Sequence, residues 1–241
     1  MPVLAPTPVR RRLALVTVAI LALLLTGCIR SIDPALDAFE LTPRSDENYD
    51  ITYWPTAIAV GGDAANPHGT NRMAFWRRSD PNLANVETCA TWTTTGHTFH
   101  QEGATLRLRP VGEGVRAITV TKNVYLEQFW VFNIHVWDTN TPEAPFTMVG
   151  SFDLSSTLGG GATGQPVAPF PWRLCARAQG NVVDFVVWPT SQARPAYGTP
   201  GRGGSALVGG NWLDAGTNGW FGGHIQPNSS IWYSDPTVTP L

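Results

Sequence analysis

Lysine is nearly missing from this chain: among 241 residues only Lys122 is one, and lysine and arginine together number 16 against 18 aspartates and glutamates. Outside Arg10-Arg11-Arg12 there is no basic block. A mildly acidic chain without a basic stripe cannot hold a phosphate backbone, so nucleic acid is excluded as a partner. Cysteine is scarce too, with only Cys28, Cys89 and Cys175, and none has a flanking Cys or His at zinc-ligand spacing. The nucleophile pattern Gly-x-Ser-x-Gly does not occur, and Gly203-Gly204-Ser205 has no paired acid or histidine pattern. The run Gly159-Gly160-Gly161 lacks the Lys-Ser/Thr that would make it a phosphate cradle. Of the histidines, His97 and His100 stand at i, i+3, but His68, His135 and His224 supply no third ligand at a telling distance. No metal centre is therefore expected. Asp80, Asn82, Asn85 and Glu87 form an oxygen-rich loop that could hold a structural calcium, although its spacing is not that of an EF-hand. No other cofactor is implied.

The N-terminus has a clear organisation. Arg10–Arg12 precede an apolar run from Leu13 to Leu25, too short to span a hydrocarbon core of ~30 Å comfortably. The run ends in Leu25-Thr26-Gly27-Cys28. This resembles a bacterial lipoprotein signal peptide with its lipobox. The resemblance implies cleavage after residue 27, lipidation of Cys28, and residence on the outer, extracytoplasmic face of a cell membrane. Loss of the three leader arginines would leave a net charge of about −5. Residues 28–50, broken by Pro34, Pro43 and a run of short polar residues, read as a tether, with one helical turn capped by Asp33. An exported chain whose remaining cysteines are Cys89 and Cys175 most simply joins them in a disulfide.

Residues 51–241 read as one domain. Glycine (24) and proline (20) punctuate the chain, and long 3.6-residue periods are scarce, which argues for an all-β fold. About ten short strands are predicted. Thr105-Leu106-Arg107-Leu108-Arg109 alternates, with the leucines to one face. Val124 to Trp137 reads as one long central strand, with Phe132, Ile134 and Val136 on one face and Asn133, His135 and Trp137 on the other. Trp172 to Ala178 and Val182 to Trp188 form a hairpin about Gln179-Gly180-Asn181. Residues 189–219 read as a long irregular loop. Strands at Trp220–Ile225 and Ser230–Val238 close the domain. This rhythm indicates an antiparallel β-sandwich.

The hairpin Trp172-Arg173-Leu174-Cys175 through Val187-Trp188-Pro189, together with the closing Gly219-Trp220-Phe221-Gly222-Gly223-His224 and Ser230–Val238, resembles the concanavalin A-like lectin and glucanase superfamily, which includes laminin-G-like domains. The motifs cover roughly residues 165–240. The resemblance implies a jelly roll with one concave sheet, where members commonly bind glycans. Sugar rings stack on aromatic faces, and their hydroxyls need short polar groups alongside. Asn133, His135 and Trp137 in one row, with Asp184 and Trp188 on the later strand, are the candidate ligand-binding residues if both faces line that groove. The glucanase branch carries Glu-x-Asp-x-x-Glu on one strand, and that motif is absent here. Glu127, Asp138, Asp153 and Asp184 are scattered. The expected function is therefore non-catalytic carbohydrate binding by a membrane-anchored domain. The alternatives are a glycoside hydrolase with an unrecognised carboxylate pair and a structural or protein-interaction module of the envelope.

Overall fold

Fourteen strands among the described residues build two antiparallel seven-stranded sheets. The computed structural model describes residues 32–42, 49–62, 71–93, 100–125, 128–159 and 168–241. The leader, Cys28 and His97 lie outside them, as does most of the glycine run after Gly159, while His100 lies within them and is buried. Ser31–Leu241 form one compact unit. The front sheet runs β1 (Leu36–Glu40), β4 (Arg72–Arg77), β13 (Thr217–Gly223), β6 (Gln101–Val111), β7 (Gly114–Tyr125), β8 (Gln128–Asp138) and β9 (Phe146–Asp153). The back sheet runs β12 (Gly203–Leu207), β11 (Val182–Pro189), β10 (Trp172–Gln179), β5 (Val86–Trp92), β14 (Ser230–Pro240), β3 (Ala57–Gly62) and β2 (Tyr49–Trp54). One short helix, α1 (Ser155–Leu158), follows β9. No helix of the described residues is long and apolar enough to cross a membrane. The fold is the antiparallel β-sandwich that the strand rhythm predicts.

The core lies between the sheets and follows from alternation along the strands. Phe132, Ile134 and Val136 of β8 point into it, as do Val183, Phe185 and Val187 of β11. Phe132 sits between Trp92 and Phe185, with ring centroids 6.0 and 5.3 Å away. Polar side chains also cross the gap. Trp220 of the front sheet donates its indole N–H to the carbonyl of Cys89 in the back sheet at 3.2 Å. The hydroxyl of Tyr233 donates to the carbonyl of Phe221 and accepts from the amide of Gly103.

The front sheet is curled, and one contact demonstrates it. Arg72 on β4 and Phe146 on β9 are five strand steps apart, about 24 Å across a flat sheet. Yet the guanidinium carbon of Arg72 lies 5.6 Å from the centre of the Phe146 ring. The outer face of this sheet is therefore concave. Curling compresses that face, and Gly219 answers it: a Cβ there would lie 2.2 Å from the Phe75 carbonyl oxygen and 2.7 Å from Cβ of Trp76. The concave face holds a second apolar cluster, with Ala74, Leu108, Val115, Ala117, Trp137 and Phe221.

Four sequence expectations change. First, residues 28–50 are not simply a tether. Leu36–Glu40 pairs in register with Met73–Arg77, and Leu36 and Leu41 are fully buried. Asp33 does not cap a helical turn; its carboxylate accepts the amide of Ala35 at 2.9 Å and turns the chain into β1. Second, Val124 and Tyr125 end β7, and a new strand begins at Gln128. Third, Leu106 and Leu108 do not share a face. Arg107 sits at φ 52°, where the register between β6 and β7 shifts by one residue. This bulge sends Leu106 into the inter-sheet core and Leu108 to the concave cluster. Arg107 fixes the bulge by donating to the carbonyls of Ala84, Trp212 and Gly180 at 2.6, 3.0 and 2.8 Å. Fourth, the segment 189–219 contains β12, which pairs with β11. The predicted hairpin of β10 and β11 is present, with Gly180 at φ 55° supplying the backbone twist that its two-residue turn needs.

Candidate functional site

Six strands bring one set of side chains to a pocket on the concave face. Arg72 comes from β4, Phe221 from β13, Gln101 from β6, Thr121 and Asn123 from β7, His135 and Trp137 from β8, and Phe146 from β9. The strand register explains the meeting: Phe221 is opposite Gly103, Gly103 opposite Thr121, and Thr121 opposite Asn133, so Gln101, Gly103 and Thr105 of β6, ahead of its bulge, share this face with odd-numbered positions of β7 and β8. The pocket offers about 50 Å³. That is room for a few waters or one small polar substituent, not for a whole sugar ring.

A hydrogen-bonded chain lines one wall. Nε of Arg72 donates to Oε1 of Gln101 at 3.3 Å, and Nε2 of Gln101 donates to Oδ1 of Asn123 at 2.5 Å. Aromatic rings form the opposite wall. The Phe146 ring lies 4.8 Å from Trp137 and meets His135 edge-on at 5.2 Å. Phe146 is 39% exposed, so part of this residue is open at the rim. Burial, with the nearby Arg72 charge adding to it, lowers the pKa of His135 to about 4. The imidazole is therefore neutral at ordinary pH and serves as a polar, uncharged wall. Its Nδ1 has no hydrogen-bond partner, and neither has Oδ1 of the adjacent Asn133.

The sequence-derived site is only partly assembled. Asn133, His135 and Trp137 do share the concave face, and His135 and Trp137 line the pocket, while Asn133 is buried beside it. Trp137 is not a free stacking surface: it is buried, and its indole N–H donates to Thr119 at 2.9 Å. Phe146 holds the open ring instead.

Asp184 and Trp188 lie elsewhere. They point away from the core on the outer face of the back sheet, so they cannot join the same groove. The segment after β11 covers them there. Arg177 donates to both oxygens of Asp184, at 2.9 and 2.6 Å, and its guanidinium carbon lies 4.0 Å from the centre of the Tyr197 ring. Arg194 stands over Trp188 and pairs with Glu87. Beneath them Cys89 and Cys175, opposite one another on β5 and β10, are joined in a disulfide with Cα atoms 4.1 Å apart. The back sheet's exposed aromatics are Trp54 and Trp232, 41% and 39% exposed and stacked 5.4 Å apart, which the sequence reading did not single out.

No carboxylate of a described residue lines the pocket. Asp138 is held by Arg116 at the end of β8, Asp153 accepts the amide of Ser155, and Asp184 is on the other sheet; Glu127 lies outside the described residues. The side chains of the oxygen-rich loop all have protein partners. Asp80 is paired with Arg77, Asn82 accepts from Thr217, Asn85 from the amide of Gly180, and Glu87 from Arg194 and Tyr197. Among the described residues one group of His, Cys, Asp and Glu gathers at metal-ligand distance, Glu87 with Cys89 and Cys175, and its sulfurs are already bonded to each other.

No family model and no curated protein sequence matches this chain. Solved structures do resemble it. The exoplasmic/lumenal domain of VIP36 with Ca²⁺ and Man3GlcNAc bound superposes with a TM-score of 0.51 at 10% identity, over 86% of this chain and 84% of that one. The form of the same domain with Ca²⁺ and mannose gives 0.50 at 9% identity, over 88% and 85%. A carbohydrate-binding module, CBM66 from Bacillus subtilis, gives 0.47 at 7% identity, over 83% and 94%. At such identities the likeness is one of fold, the concanavalin A-like jelly roll.

Proposed function

We propose that this chain is a lipid-anchored, extracytoplasmic protein whose β-sandwich binds a glycan without cleaving it. The observation that carries the binding reading is the concave pocket: the partly exposed Phe146 stands beside the amides of Gln101 and Asn123 and the guanidinium of Arg72. An apolar ring face next to short polar groups is what a sugar, with C–H faces and hydroxyl edges, requires. The VIP36 domain, which shares the fold, has been seen with Man3GlcNAc and with mannose. The pocket's freedom from described carboxylates favours binding over hydrolysis, which needs an acid pair. The anchor rests on Arg10–Arg12, the apolar run and Cys28. Attachment through more than one acyl chain would be stable.

The binding test is titration of the purified, oxidised protein against a polysaccharide panel, with tryptophan fluorescence and reducing ends both recorded. Saturable binding without new reducing ends is expected. Phe146→Ala should weaken it about tenfold, the loss of roughly 1–1.5 kcal/mol of ring stacking. New reducing ends would move the reading to a hydrolase, and no binding at all would end it. Separately, expression with radiolabelled palmitate should label the protein in the membrane fraction. Cys28→Ala should abolish the label and release or misprocess the chain; an unlabelled wild type removes the anchor from the proposal.

A further inference from the structure

We propose that the concave pocket receives the carboxylate of an acidic sugar, a uronate residue of a polysaccharide, while the sugar ring lies on Phe146. This rests on the glycan-binding reading and narrows its ligand class. The first argument is charge. Seven cations of the described residues have a carboxylate within 4.0 Å, from Arg77 with Asp80 to Arg194 with Glu87. Arg107, Arg173 and Arg202 have no such partner, but each donates terminal N–H groups to protein oxygens: Arg107 to carbonyls, Arg173 to Thr91 and the Asp235 carbonyl, Arg202 to Gln192. Arg72 has neither. Its side chain donates only Nε, to Gln101, and no acid of a described residue lines the pocket with it. The terminal N–H groups of this half-buried guanidinium donate to no described residue, and their planar fork matches a carboxylate.

The second argument is size. The pocket's 50 Å³ suits a carboxylate rather than a ring. The third is reach. The guanidinium carbon stands 5.6 Å from the Phe146 ring centre. A sugar resting at the exposed rim of Phe146 would thus bring a carboxylate, one bond from its ring, to the guanidinium that stands over that phenyl ring. Asn123 and Thr121 complete the polar wall.

The test compares polymers that differ only in charge. Polygalacturonate, alginate and hyaluronate are each paired with their fully methyl-esterified form and titrated into the purified, oxidised protein by calorimetry. A neutral polysaccharide panel runs beside them. At least one acid polymer should bind tenfold or more tightly than its ester, and high salt should erode that preference. Arg72→Gln should remove the preference. Asn123→Asp, nearly isosteric and placing a negative charge in the pocket, should do the same if the first variant does not fold. Equal binding of acid and ester forms, or binding confined to the neutral panel, overturns the uronate inference and leaves glycan binding standing. A preference that survives both substitutions overturns the assignment to this pocket. Binding of no polymer overturns both.

Discussion

Replacing Cys89 and Cys175 together by alanine is expected to lower the stability of the sandwich by about 4–5 kcal/mol, the largest effect of any small change to this chain. The two residues are 86 positions apart in sequence, and a cross-link closing a loop of that length removes roughly this much free energy's worth of disorder from the unfolded chain in the loop-entropy model. The folded state should change little. The cysteines are register partners on adjacent strands, and the ladder between Trp172–Ala178 and Val86–Trp92 holds those strands with or without the bond. Val186, Trp188 and Tyr197 pack around the sulfurs, so alanine leaves only a small void. Urea denaturation of wild type and double variant would measure the difference. For a domain of this size each kcal/mol moves the melting temperature by about 2–4 °C, so the shift should exceed 8 °C. A loss under 1 kcal/mol would mean that the unfolded chain is already compact between these two positions. Reductant alone should act slowly on the native protein, because both sulfurs are buried beneath the segment that carries Arg194 and Tyr197.

What could be read in the sequence was local. Alternation along β8 assigned Phe132, Ile134 and Val136 to the core and placed Asn133, His135 and Trp137 on the other face. The turn at Gly180-Asn181 announced its hairpin, and the cysteine count announced the disulfide. Alternation is a property of one strand, so it survives whatever partner the strand takes. What was not legible depended on partners. Asp184 and Trp188 alternate correctly along β11, but only the strand order shows that β11 belongs to the sheet opposite β8. Arg107 breaks the period of β6 through a single φ, and nothing in the run Thr105–Arg109 marks which residue will bulge. Leu36–Glu40 is short and carries two acids, so it looks like linker until Met73–Arg77 is set beside it. The pocket was the least accessible feature. Its walls come from positions as distant as Arg72 and Phe221, and Arg72 meets Phe146 only because the sheet curls. Curvature is the sum of small twists over seven strands, with no motif of its own.

The same inter-sheet core contains a charge pair, and its removal is the second large effect. The chain's one lysine, Lys122, lies on β7 next to Glu102 on β6, with Nζ 2.9 Å from Oε2 and side chains 2% and 1% exposed. Trp92 and Tyr233 are close to it. Bringing both ions out of water is costly, and their attraction offsets that cost only while both are present. Lys122→Met alone, or Glu102→Leu alone, should therefore cost about 3–5 kcal/mol. The double variant should lie within about 1 kcal/mol of the wild type or above it, because an apolar pair of similar volume carries no desolvation cost. Urea denaturation of the four proteins closes the cycle, and single losses that simply add would show that the two charges do not interact.

The pH dependence gives an independent reading of the same pair. Burial pushes the Glu102 carboxyl above its ordinary value, against the pull of Lys122. The folded state therefore holds this proton more tightly than the unfolded state. The resulting contribution is present below the ordinary carboxylate range near 4.5 and is lost as pH rises through the raised folded value. The wild type should lose that increment over this window, and the Lys122→Met, Glu102→Leu protein should not. If both proteins show the same slope, the carboxylate ionises as freely in the core as in water, and the cost assigned to its burial is wrong.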